Sequence, residues 1–202
     1  MKLGTWIREQ TSRLPGGRTT ASPRLSECRL IVLDVDVTGI DPRHDMATGI
    51  ATLNVEHGEF RLADLNYIPL APSSTASNWR EQYRTLVDDL ADQPVLTYNA
   101  RFVKHMIKRA ALAHQLPLPF ANWIDIASAL YGAFGHETSE IESMWRWQER
   151  MKIKVVKKHA ATADVFALAQ MLQTLLAYCE DVGIRTIIDL QRAQNARVWL
   201  RG

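Results

Sequence analysis

Residues 29–42, RLIVLDVDVTGIDP, decide the fold. The stretch is apolar on both alternating faces until Asp34, the pattern of a strand buried inside a sheet rather than at its edge. Asp34 and Asp36 stand two apart, so on a strand they point to the same face. Two like charges side by side repel and resist burial. Solvent exposure, a shared proton or a divalent cation would each resolve the conflict, and the apolar run before Asp34 argues against full exposure. Thr38-Gly39 follows as a close turn, where backbone can approach a ligand.

Working outward, residues 46–68 read as two strands with a turn at His57-Gly58. Residues 77–91 read as a helix, with Ser77 as a cap and Trp79, Tyr83, Leu86, Val87 and Leu90 as its apolar stripe. A short strand (94–99) and a helix (101–115) carrying Val103, Met106, Ile107 and Ala110 on one face come next. The segment 122–134 reads as a helix or a strand leading into one, and 138–151 is helical. A basic loop (152–164) runs into a long helix from about 162 to 181, and a last helix covers 184–200. Strands first, then strands alternating with helices, give a mixed α/β sheet that begins antiparallel and gains strands through helical crossovers.

The chain has 202 residues, 47% hydrophobic and 23% charged, ordinary for a soluble globular protein with one sizeable core. The net charge of +2 is unevenly spread: residues 1–27 carry Lys2, Arg8, Arg13, Arg18 and Arg24 against Glu9 and Glu27, which leaves the rest near −1. Affinity for a polyanion therefore depends on local patches. Cys28 and Cys179 have no metal-ligand spacing and read as reduced thiols of a cytoplasmic protein. No apolar run approaches the roughly 18 residues of a membrane span, so no membrane partner is expected. The Pro/Gly/Ser/Thr-rich LPGGRTTASP (14–23) marks residues 1–27 as a basic arm or linker, ahead of a domain over 28–181 and a C-terminal helix over 182–202 packed on it or extending it.

Three motifs carry chemistry: DVDVTGIDP (34–42), YNARFV (98–103) and HAATAD (159–164). In this order and spacing they resemble the DEDD family of 3′–5′ exonucleases, in its DEDDh branch, which includes the proofreading epsilon subunit of bacterial DNA polymerase III and ribonuclease T. The likeness covers residues 29–180. The family's motifs run D-x-E-T-T-G-L-D-P, H-N-A-x-F-D and H-x-A-x-x-D, and NWIDIASALYG (122–132) is similar to the segment that precedes the third.

The resemblance implies a ribonuclease H-like mixed sheet flanked by helices. It also implies hydrolysis of phosphodiester bonds at the 3′ end of single-stranded DNA or short oligonucleotides by two Mg²⁺ or Mn²⁺ ions roughly 3.5–4 Å apart. It assigns Asp34, Asp36 and Asp164 as metal ligands, His159 as general base, and Val37, Thr38 and Asn99 as contacts to the terminal nucleotide. A homodimer, a polymerase or another protein partner stays open.

Two departures stand out. Asp36 replaces the family's Glu, one methylene shorter. Val103 replaces the second motif's Asp and ligates nothing, so the second ion is weakly held or absent. Asp88, Asp89 and Asp92 are the upstream acids that would have to substitute. These departures favour an alternative, a catalytically impaired exonuclease-like module that binds nucleic acid or protein. Two basic clusters accompany the motifs: Arg146, Arg150, Lys152, Lys154, Lys157 and Lys158 before His159, and Arg101, Lys104, Lys108 and Arg109 beside the second motif. Of Trp145 and Trp147, one is expected to pack inward and the other to lie exposed, free to stack on a base.

Overall fold

A computed structural model of the chain describes residues 23–70, 78–134, 142–154 and 160–196. Strand β1 (Arg29–Val37) lies at the centre of a five-stranded sheet. It pairs antiparallel with β2 (Ala47–Glu56) and parallel with β4 (Pro94–Thr97). Strands β3 (Asn66–Pro69) and β5 (Asn122–Asp125) form the two edges, giving the order β3-β2-β1-β4-β5. This is the mixed α/β sheet expected, begun as an antiparallel hairpin and extended by crossovers.

The central position explains why β1 is apolar on both faces. Leu30 and Val32 point to one layer, formed by α3 (Ile126–Phe134), α5 (Ala161–Val182) and α6 (Ile187–Ala196), with Trp147 of α4 (Met144–Arg150). Ile31, Leu33 and Val35 point to the other, formed by α1 (Trp79–Asp92) and α2 (Ala100–Ala113). By the same alternation Asp34 and Asp36 fall on the Leu30/Val32 face, beneath the start of α5.

His57 and Gly58 turn the β2 hairpin, both in the left-handed region at φ 55° and 76°, as a two-residue turn requires. The second arm of that hairpin is shorter than its apolar pattern suggests. Next to the turn it pairs through the bridge Glu56–Glu59, a 3₁₀ turn then occupies Leu62–Asp64, and pairing with β2 resumes in the four residues of β3. Phe60 leaves the sheet to pack edge-on against Phe166 of α5, ring centroids 5.6 Å apart, so burial there outweighs further strand pairing.

Helix α5 ends at Gly183, in the left-handed region at φ 79°, with the Ile184 amide donating back to the Cys179 carbonyl at 2.8 Å. Thr186 and Asp189 exchange backbone and side-chain hydrogen bonds of 3.2 Å to start α6, whose Ile187, Leu190 and Ala193 are buried in the main core. The Leu25 amide donates to the Arg185 carbonyl at 2.8 Å, and Leu25 is buried in the same core. Both cysteines are buried and free. Among the described residues no helix is long and apolar enough to cross a membrane. Ser77 and 152–164's segment 155–159 lie outside the described residues, as do 1–22, 135–141 and 197–202.

Candidate active site

The C-terminal ends of β1 and β4 and the starts of α2, α4 and α5 enclose a cleft of about 580 Å³. Asp34, Asp36, Asn99, Val103, Trp145 and Asp164 are among its lining residues. Asp164 is the fourth residue of α5 and only 7% exposed. The small residues around it let α5 lie close on the strand that carries Asp34.

The Asp34 carboxyl is pushed up to about 8, first by burial, then by the charge of Asp164 and, less, of Asp36; a hydrogen bond from the Val35 backbone opposes the shift. A buried acid beside a second acid is the electrostatic demand that a divalent cation answers. The residues fit one such ion between Asp34 and Asp164. Val103, 1% exposed on the cleft wall, offers an isopropyl group and no donor for a second. Among the described residues no three His, Cys, Asp or Glu side chains group as a metal cluster.

Asp36 has two partners of its own. Its Oδ1 accepts the Ala161 amide of α5 at 2.9 Å, and its Oδ2 accepts the Tyr67 hydroxyl at 2.9 Å. Val37 lines the cleft, beside a register shift between Asp36 and Val37 that locally breaks the β1–β2 ladder. Thr38 does not line it. Its hydroxyl donates to Asp45 Oδ1 at 2.7 Å and accepts the Met46 amide at 3.2 Å, closing the loop that follows β1. Asn99 lines the cleft in the left-handed region, at φ 58°, and its side chain accepts the Phe102 amide to cap α2. His159 lies outside the described residues; Ala160, one residue on, is the cap position of α5.

The upstream acids are elsewhere. Asp89 holds Arg29 in a two-pronged pair at 2.7 Å, at the other end of β1, about 17 Å of strand from Asp34. Trp147 is buried and Trp145 exposed, with the Arg146 guanidinium 4.7 Å over the Trp145 ring. On α2, Arg101, Lys104 and Lys108 are all exposed and the helix carries no acid. Lys104 lies 5.9 Å over the Trp123 ring.

Three participants escaped sequence reasoning. Tyr67 and Gly49 are two of them: Gly49 pairs with Asp36 in the sheet, and a Cβ there would overlap the Tyr67 ring, so the glycine lets the ring cross the sheet to Asp36. The third is Asp125 at the end of β5. Its Oδ2 accepts the Ala100 amide at 3.0 Å and its Oδ1 the Ala127 amide at 2.9 Å, so one carboxylate caps both α2 and α3. Only its place just ahead of an apolar helical run signalled this.

No protein-family model matches the chain, and no curated protein matches it. Solved structures match by shape. E. coli exonuclease I in complex with a dT13 oligonucleotide is similar with a TM-score of 0.58, at 12% identity over 77% of this chain and 42% of that one. The zinc-bound form of the E. coli exonuclease I complex with single-stranded DNA gives 0.55, at 13% identity over 73% and 40%. Exonuclease X in complex with 5′ overhanging duplex DNA gives 0.51, at 15% identity over 73% and 91%. The chain thus spans about two fifths of exonuclease I and nearly all of exonuclease X. At these identities the likeness shows the fold, the ribonuclease H-like fold of such exonucleases.

Proposed function

We propose that the chain is a metal-dependent 3′–5′ exonuclease of the DEDD superfamily, in its DEDDh branch, acting on single-stranded DNA or short oligonucleotides with reduced strength. One observation carries the reading: a half-buried acid, Asp34, and a buried one, Asp164, line one cleft at the end of the central strand, on the fold of exonucleases I and X.

In this reading Asp34 and Asp164 hold one Mg²⁺ or Mn²⁺, which supplies charge neutralisation at the scissile phosphate. His159, five residues ahead of Asp164, accepts the proton of the attacking water through its neutral imidazole. The water oxygen bonds to phosphorus, the bond from phosphorus to the upstream 3′ oxygen breaks, and that oxygen takes a proton from solvent. Val37 and Asn99 shape the pocket for the terminal nucleotide. Phe102, Val103 and Met144 line the cleft with apolar surface and limit water around the phosphate. Arg101, Lys104 and Lys108 descend from the cleft along α2 and attract the upstream phosphates.

A second reading, an impaired module that binds nucleic acid without cutting it, is favoured by Val103 and by the occupied oxygens of Asp36. A 3′-tracked labelled oligonucleotide with Mg²⁺ or Mn²⁺ separates the two. Stepwise shortening that disappears in Asp34→Ala and His159→Ala is the expected result. No shortening with either ion, together with recovery in Val103→Asp, would establish the impaired module; neither cleavage nor recovery nor metal uptake would overturn the nuclease reading.

A further inference from the structure

We infer that Asp36 is a strut that sets the start of α5, with Tyr67 as its brace, and is not a cation ligand; the inference rests on the reading of Asp34 and Asp164 as the cation site. The family's glutamate at this position is a ligand. Here the shorter side chain meets a different pair of partners.

Each carboxylate oxygen already has a partner. One takes the first amide of a 22-residue helix and the other a tyrosine hydroxyl, each at 2.9 Å. The Ala161 amide has no partner within its own helix, and a carboxylate there also answers the positive helix end. Tyr67 reaches Asp36 only because Gly49, paired with Asp36 on the neighbouring strand, has no side chain. Burial, then the hydrogen bond to Asp36 and its charge, raise the Tyr67 hydroxyl to about 12, so it stays a donor. Three strands and a helix are therefore joined through one carboxylate: β1 by Asp36, β2 by Gly49, β3 by Tyr67 and α5 by Ala161. The absence of a three-acid cluster among the described residues agrees with this division of labour.

Asp36 thus acts through Ala161, two residues after His159 in the chain, as a positioning residue. Asparagine keeps both bonds, since its carbonyl accepts the amide and the tyrosine hydroxyl accepts from its NH₂. Alanine keeps neither.

The test pairs Mn²⁺ titration calorimetry with thermal melts in EDTA and with kcat and KM on an oligonucleotide. Asp34→Asn is expected to lose Mn²⁺ uptake, whereas Asp36→Asn stays within about threefold of the parent in Mn²⁺ affinity and kcat. Asp36→Ala and Tyr67→Phe melt earlier, and Asp36→Ala lowers kcat more than it raises KM. Asp36→Glu, the family residue, melts earlier and gains no affinity. A loss of Mn²⁺ affinity in Asp36→Asn as large as in Asp34→Asn would overturn the strut, and so would a gain in Asp36→Glu. If the parent binds no Mn²⁺, the cation reading fails and the melts alone judge the strut: an unchanged Asp36→Ala refutes it, and a lowered melt rescued by Asp36→Asn upholds it.

Discussion

Asp34 occupies a place that an isolated carboxylate would avoid, and its proton records the cost. Its ordinary value near 3.9 rises to about 8 in the folded chain. Between these values the native protein binds a proton that the unfolded chain has released. The contribution of Asp34 to stability without metal is therefore greatest below about pH 4, falls as pH rises, and reaches its floor above about pH 8. Urea midpoints in EDTA at pH 5 and pH 8.5 are expected to differ in that sense, and Asp34→Asn to flatten the difference. Mn²⁺ binding near pH 7 is expected to release a proton, read as a buffer-dependent enthalpy. Val103 is the complementary residue. Val103→Asp puts a fourth acid into the cleft lining, at a buried position, so the metal-free protein should lose about 3 kcal/mol or more, or take up a proton instead. Added Mn²⁺ should then raise its melting temperature further than the parent's.

At the scale of elements, β1 was the most legible segment. Its apolar run and its terminal acids needed no partner to be read, because a central strand buries both faces. The helices followed from their apolar spacing, and Trp79, Tyr83, Leu86 and Leu90 are indeed the buried side of α1. What stayed hidden depends on register. Nothing in sequence separation says that Gly49 stands opposite Asp36 or that Tyr67 crosses to it. Gly49→Ala is expected to displace the Tyr67 ring and cost about 1–3 kcal/mol in a denaturant titration. Sequence separation is as silent on Thr38, whose hydroxyl closes the loop after β1 through Asp45, seven residues on. The α2 stripe, by contrast, is readable from sequence as charges three and four apart without an acid among them. Replacing Arg101, Lys104 and Lys108 by Gln should reduce the slope of log affinity for single-stranded DNA against log salt by about 2, at roughly 0.7 per phosphate contact.

For the whole molecule, two apolar layers pack on the sheet, and the larger one includes the far end of the chain. Leu190, 1% exposed, sits between α6 and that layer. Leu190→Ala should destabilise the entire fold by about 2–5 kcal/mol in one cooperative transition, rather than fray a terminal helix. The two layers also determine how the cleft is charged. Its long flanking helices, α2 and α5, open toward it, yet Asp125 already caps one and Asp36 the other. A phosphate arriving there meets the carboxylates that hold the first amide of each helix. Under the proposed nuclease function, the cation is therefore expected to enter before the nucleic acid. In pre-steady-state mixing, protein preincubated with Mn²⁺ should cut without delay, and protein preincubated with the strand should show a lag while the ion enters behind it.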